Sequence, residues 1–251
     1  MRITLYHGEP NGPSLTVLAT LFAKQVHAEL VRIDLASGER HSLACAQEPQ
    51  VAMSVEGEGP VLVVEDEAMT DSVFSACYLD EVGHGAALRP ADPCGRWEMM
   101  TWCRQMTERT APAAAYLGCW AHPPKADAAL LERIGSVDLR ARWEQIAAGQ
   151  FSEDHLTDSR TKVLQAVQKV EARLDARQWL MGTFSIADIE SFSWLAGMVP
   201  LVPGAFAGRP RTTQWLARVR VQPAVAQALS LARTGDPAAS WSVGPEINRW
   251  G

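Results

Sequence analysis

Residues 59–80 read Gly-Pro-Val-Leu-Val-Val-Glu-Asp-Glu-Ala-Met-Thr-Asp-Ser-Val-Phe-Ser-Ala-Cys-Tyr-Leu-Asp. Gly59-Pro60 opens an apolar segment, Val61 to Val64, which gives way to a short acidic turn, Glu65-Asp66-Glu67. A second brief strand, Ala68 to Thr70, then meets Asp71-Ser72 and a helical pattern. Strand, tight turn, strand and capped helix form one compact unit. Two of its positions can carry chemistry. A cis bond at Pro60 would turn the backbone of Gly59 outward, where its polar groups could pair with a ligand, although cis is the minority form even before proline. Asp and Ser both cap helices, and the first turn of a helix binds anions through its free N–H groups and positive dipole end. The plainer alternative is a hairpin followed by an ordinary N-cap.

Upstream, Arg2 to Tyr6 alternates as a strand, His7 to Pro13 is a turn-rich loop, and Ser14 precedes an i, i+3, i+4, i+7 stripe of Leu15, Leu18, Ala19 and Phe22. Ala28 to Leu35 reads as a second strand, so the opening is a β-α-β unit with a parallel pair. Residues 36–58 show no period and are expected to be mostly loop. The order βαβ then ββα is that of a thioredoxin-like domain. No convincing strand follows Gly95. Helical patterns cover Arg96 to Arg109, Ala113 to Trp120 after a break at Pro112, an interrupted Ala126 to Gln145, Thr157 to Leu174, a helix capped by Ser185 with Asp188 three residues on, Arg211 to Val221, and Pro223 to Arg233. The expected fold is therefore α/β plus all-α: a thioredoxin-like domain over 1–83, a linker over 84–94, an all-helical domain over 95–235, and a Gly/Pro/Ser-rich tail over 236–251 that carries Trp241 and Trp250.

The 251 residues, 47% hydrophobic with a net charge of −6, supply a sizeable core and too little clustered positive charge for nucleic acid to be the main partner. No apolar run approaches the ~20 residues of a membrane-spanning helix, and the N-terminus lacks the apolar core of a secretory signal. A cytoplasmic protein with no membrane partner is expected. The five cysteines, Cys45, Cys77, Cys94, Cys103 and Cys119, are odd in number and lack C-x-x-C spacing, which fits free thiols and argues against a dithiol oxidoreductase or a zinc site. The six histidines show no ligand spacing, and neither a G-x-G-x-x-G nor a P-loop occurs. No metal is expected.

The layout resembles that of the cytosolic glutathione S-transferases over nearly the full length. Four features carry the resemblance: the strand-loop-Ser14-helix start, Gly59-Pro60-Val61 as the family's cis-proline motif, Met69-Thr-Asp-Ser72 as its acidic-Ser element, and Gly182-Thr-Phe-Ser-Ile-Ala-Asp188 as the cap of its core helix. Within the family the chain looks most like the bacterial β-etherases that open lignin-derived aryl ethers. The matching stretches are Ser14 to Leu21, Arg40-His-Ser42, Leu88 to Pro93 followed by Glu98-Met99 and Trp102, and Gln222-Pro-Ala224. The resemblance implies glutathione as co-substrate and a dimer, with an identical or a related chain.

It also implies roles for residues. Ser14, with Asn11 as a second donor, would stabilise the glutathione thiolate, which is the nucleophilic form; a plain helix cap is the alternative for Ser14. Asp71 would meet the α-ammonium of the γ-glutamyl group and Ser72 its carboxylate. Gly59, beside Pro60, would pair through its backbone with the cysteinyl part. Arg40 or His41 would meet the glycine carboxylate, the alternative being a solvated loop. Met106, Tyr116 and Trp120 would line an apolar pocket for an aromatic ether acceptor, the alternative being core packing. The implied reaction is attack of the thiolate on a carbon bearing an aryloxy group beside a ketone, with loss of a phenolate. The chain departs from the family at the long acidic approach to Pro60, residues 47–58, where Glu56 and Glu58 would sit near an anionic ligand. The departure keeps open a weakly active or inactive subunit that stabilises a catalytic relative. A transferase for another electrophile is a further alternative.

Overall fold

The computed structural model describes residues 2–42 and 58–244. Its first element, β1 (Ile3–His7), pairs in parallel with β2 (Glu29–Arg32) and antiparallel with β3 (Val61–Val64), and β3 pairs antiparallel with β4 (Glu67–Met69). The resulting sheet has the order β2-β1-β3-β4. The run Val61 to Val64 is apolar at every position because both faces of β3 are covered. Leu62 and Val64 enter the main core, while Val61 and Val63 pack with Ile33 and Leu35 on the opposite face. Helix α1 (Gly12–Ala23) crosses between β1 and β2, and α2 (Ser72–Val82) follows β4. Residues after β2 form two short 3-10 turns, Leu35–Ser37 and Glu39–His41. Most of the acidic approach to Pro60, including Glu56, lies outside the described residues, as do Cys45 and Trp250.

The second half is helical: α3 (Pro93–Gln105), α4 (Ala111–Ala121), α5 (Ala128–Leu131), α6 (Val137–Ala147), α7 (Glu153–Arg173), α8 (Ile186–Leu195), α9 (Pro203–Phe206), α10 (Pro210–Arg220) and α11 (Pro223–Leu229). The break expected at Pro112 takes the form of a π turn, Met106–Thr110, between α3 and α4. Proline has no N–H for an intrahelical bond, and its ring would strike the carbonyl four residues back. The wider π turn accommodates both.

Helix α8 is buried along its whole length. Its cap is the expected one: Asp188 Oδ2 accepts from the Ser185 N–H and hydroxyl, each at 3.0 Å. Asp188 Oδ1 accepts from the Leu180 N–H at 3.0 Å and the Trp215 indole at 2.8 Å. Burial pushes this carboxyl up to about 6 against those four donors. The stretch read from composition as a linker is pinned instead: Leu88 is buried, its carbonyl accepts from Ile186, and its N–H donates to Asp80. Asp80 also holds Lys24 and Arg89.

The tail is likewise fixed in its described part. Trp241 is 3% exposed and lies over Gly118 and Gly197, where a Cβ would come within 2.2 Å and 2.9 Å of its ring. Only a glycine on α4 admits the indole so closely. The Arg142 guanidinium holds the carbonyl of Val243, and the Cys119 thiol lies 3.3 Å from that of Ser242. Among the described residues no helix is long and apolar enough to cross a membrane, and no group of three or more His, Cys, Asp or Glu is placed to hold a metal ion.

Candidate active site

A cleft enclosing about 600 Å³, its open mouth included, lies where the end of β1, the start of α1, the β3 approach and the C-terminal segment meet. Helix α1 begins earlier than its apolar stripe suggested. Asn11 is the N-cap residue in extended conformation, Gly12 and Pro13 open the helix, and Ser14 lies within the first turn rather than at the cap. Gly12 has φ +50°, and a Cβ there would meet the Trp194 ring at 3.2 Å. The Ser14 hydroxyl oxygen accepts from the Gly8 N–H at 3.0 Å, and no acceptor among the described residues takes its proton. That proton and the free N–H groups of the first turn point toward an anion by the ordinary logic of a helix start. Asn11 sits beside it, but its side-chain amide donates to the Ser240 carbonyl at 3.3 Å.

Gly59 and Ser72 line the same cleft. The bond at Pro60 differs from the expected motif: among the described residues no peptide is cis. The Gly59 carbonyl accepts from the Arg40 guanidinium. Arg40 is therefore neither solvated nor part of the cleft wall but buried behind it. His41 meets Glu58 Oε1 at 2.7 Å. Asp71 has φ 72°, a conformation that costs energy in a residue with a Cβ. Its Oδ1 caps α2 through the N–H groups of Val73 and Phe74, each at 2.9 Å. Burial raises its pKa, opposed by the two N–H bonds. The Ser72 hydroxyl donates to Glu190 Oε2 at 3.2 Å.

Glu190 on α8 joins the two halves beneath the cleft. It accepts from Thr16 on α1 at 2.7 Å and from the Trp194 indole at 2.8 Å. Complete burial is the main cause of its raised pKa.

The three residues expected to form an acceptor pocket lie elsewhere. Met106 faces a separate surface hollow with Trp102, Arg109 and Lys169. Tyr116 is core: its ring stacks on His155 at 3.8 Å, and its hydroxyl oxygen accepts from the Ser152 N–H. Trp120 is 41% exposed with the Arg160 guanidinium over its ring. Their immediate neighbours Thr107 and Ala115 reach the cleft instead. The π turn adds a residue to one turn and so rotates everything after it, which a uniform helical period cannot anticipate.

The apolar part of the wall comes from Trp194, Trp241, Leu35 and Ala115. Two carboxylates, Glu9 and Glu58, complete it. Glu9 is ion-paired with Arg32 and accepts from the Arg233 N–H.

The helical half matches the family model "Glutathione S-transferase, C-terminal domain" over residues 122–223. Protein LigF of Sphingobium sp. strain SYK-6 is 28% identical, with 94% of this chain and 96% of that protein covered. The crystal structure of β-etherase LigF superposes with a TM-score of 0.81 at 26% identity, covering 92% of this chain and 99% of the other. The helical half thus matches the glutathione S-transferase family model, and nearly the whole chain is similar to LigF. More distant transferases share its fold. Poplar glutathione transferase F1 gives a TM-score of 0.68 at 18% identity over 92% of this chain and 97% of its own. A transferase from Burkholderia graminis, crystallised with two glutathione molecules per subunit, gives 0.67 at 20% identity over 93% and 90%. In this chain Ser14, the start of α1 and Ser72 meet in one cleft that is also lined by Ser240, Trp241 and Ser242 of the C-terminal segment.

Proposed function

We propose that this chain binds glutathione in the cleft at Ser14 and uses its thiolate to displace a phenolate from the β-carbon of an α-keto β-aryl ether. The likeness to LigF over nearly the whole of both chains is the observation that carries the reading. The thiol proton leaves to solvent, and the Ser14 hydroxyl donates to the sulfur. The sulfur then forms a bond to the β-carbon as the C–O bond breaks, and the phenolate departs with the electron pair. Holding both reactants in one cleft supplies much of the acceleration. The carboxylate of the γ-glutamyl group would meet the start of α2 at Ser72 and its ammonium would meet Asp71. The aromatic acceptor would lie against Trp194 and Trp241, with Ala115 leaving room for it. A dimer fits Phe74 on α2 and Trp97 on α3, large apolar side chains 59% and 67% exposed, one from each half of the chain.

One set of contacts favours the second reading, a poorly active subunit of a cytoplasmic heterodimer: Arg40 occupies the Gly59 carbonyl and Ser240 occupies the Asn11 amide. Incubation with glutathione and an α-keto β-aryl ether, followed by measurement of released phenol, tests the two. Stoichiometric phenol and a glutathione thioether are expected. Glutathione binding without phenol release would favour the subunit, and no phenol release together with thioether formation from a halogenated compound or an epoxide would move the acceptor class.

A further inference from the structure

Glu190 lies beneath the cleft, fully buried and not part of its wall. Its hydrogen-bond partners among the described residues are hydroxyls and an indole, all neutral. A buried carboxylate without a cation is costly, and a well-packed apolar side chain in its place is often the more stable arrangement. The carboxylate instead fixes geometry. Its Oε2 accepts from Thr16 at 2.7 Å and from Ser72 at 3.2 Å. Its Oε1 accepts from the Trp194 indole at 2.8 Å and lies 3.5 Å from the Thr107 hydroxyl. The two oxygens therefore serve different sides of the site. Thr16 follows Ser14 on α1, and Ser72 opens α2, where the γ-glutamyl group is placed. Trp194 and Thr107 belong to the wall on the other side.

We propose that Glu190 is a positioning residue that ties the glutathione side of the cleft to the wall that receives the acceptor. It touches neither reactant, and from one carboxylate it orients both the Ser72 hydroxyl and the Trp194 ring. The proposal rests on the glutathione reading of the cleft. Its bonds are not equivalent. An indole N–H only donates, whereas a hydroxyl can turn and accept. In Glu190→Gln the amide oxygen therefore stays on Trp194, and the NH₂ group faces Thr16 and Ser72, whose hydroxyls must reverse. The change disturbs the glutathione side and spares the acceptor wall. Trp194→Phe removes the indole N–H, keeps an aromatic ring on the wall and frees that amide to swing round.

Calorimetric titration of the intact protein gives the affinity for glutathione, and phenol release at saturating glutathione gives KM for an α-keto β-aryl ether. Glu190→Gln is expected to bind glutathione about tenfold more weakly, the size of a hydrogen bond to a charged group, with KM for the ether within about twofold of wild type. Glu190→Gln/Trp194→Phe should bind glutathione about threefold or more tighter than Glu190→Gln alone, because the freed amide oxygen returns to Thr16 and Ser72. A residue that only holds the fold together gives the opposite, since a second lesion then adds to the first. Unchanged glutathione affinity in Glu190→Gln overturns the proposal, and so does a double variant no tighter than Glu190→Gln. If Glu190→Gln does not fold, Thr16→Val decides. It keeps the side-chain shape, removes the 2.7 Å bond to Oε2 and should weaken glutathione several-fold without moving KM for the ether, and equal affinity refutes the assignment. Wild type that does not bind glutathione removes the glutathione reading itself, a result distinct from the others.

Discussion

At Ser14 one hydroxyl oxygen does two things. It accepts from Gly8, which fixes its rotamer, and in the proposed function its proton is given to a sulfur placed at the start of α1. Replacing Ser14 with Ala removes both, and phenol release should fall about a hundredfold in kcat, the scale of losing one donor to a developing or bound anion. A loss seen only in KM would mean that the hydroxyl binds the tripeptide without acting on its sulfur. The individual site residues differ in how legible they were from sequence. Ser14, Gly59 and Ser72 each sit at a start or turn that local rules mark, and all three reach the cleft. Glu9, Glu58 and Trp241 carry no local mark. They join the site only because chain segments far apart in sequence meet there, as Trp143 meets Glu58 across 85 positions. The occupied Gly59 carbonyl depends on Arg40 being buried, which no spacing rule predicts for an arginine in an irregular loop.

The elements that shape the cleft are the π turn before α4 and the C-terminal segment. The turn decides which face of α4 looks inward, and it is why Ala115 rather than Tyr116 lines the wall. The C-terminal segment depends on a glycine. Gly118→Ala would place a methyl carbon within 2.2 Å of the Trp241 ring, so the indole must leave its seat. That variant should lose about 1–3 kcal/mol in denaturant unfolding, the usual cost of overpacking. It should also show increased quenching of tryptophan fluorescence by added iodide as Trp241 becomes exposed. Unchanged stability and quenching would mean that the segment is not seated on α4. Trp241→Ala separates the cleft's two tasks: it should raise KM for the aromatic acceptor several-fold more than KM for glutathione, because the indole supplies apolar wall. The capped helices and paired strands were readable because their signals are local. The seat of the Gly/Pro/Ser-rich tail was not, since it comes from contacts with α4 and α6.

Across the molecule, Glu190 on α8 joins the two halves through Thr16 and Ser72, and Asp188 fixes the start of the same helix within the helical half. Burial sets the folded pKa of Asp188 at about 6, above the ordinary carboxyl value of 3.8. Between those values the folded chain holds a proton that the unfolded chain has lost, so this residue's contribution favours folding at the acid end and is lost as pH rises through about 6. The loss amounts to roughly 3 kcal/mol. Denaturant unfolding of wild type and Asp188→Asn between pH 4 and 7 should differ in slope by about one proton, with the variant less stable overall because its NH₂ group confronts donors. Parallel pH profiles would contradict this. The two-part architecture was legible: the parallel β1–β2 pair, the hairpin of β3 and β4 and the cap of α8 follow from local period and capping signals, whereas the strand order and the β1–β3 pairing depend on contacts between distant segments.

The central claim is that the cleft ionises glutathione beside Ser14, and the ultraviolet absorbance of the thiolate measures this directly. Glutathione titrated into wild-type protein at neutral pH should give a saturable thiolate signal of about one per cleft, and Ser14→Ala should shift its appearance to higher pH. A wild-type titration with no saturable signal, or one that Ser14→Ala leaves unchanged, would contradict the claim.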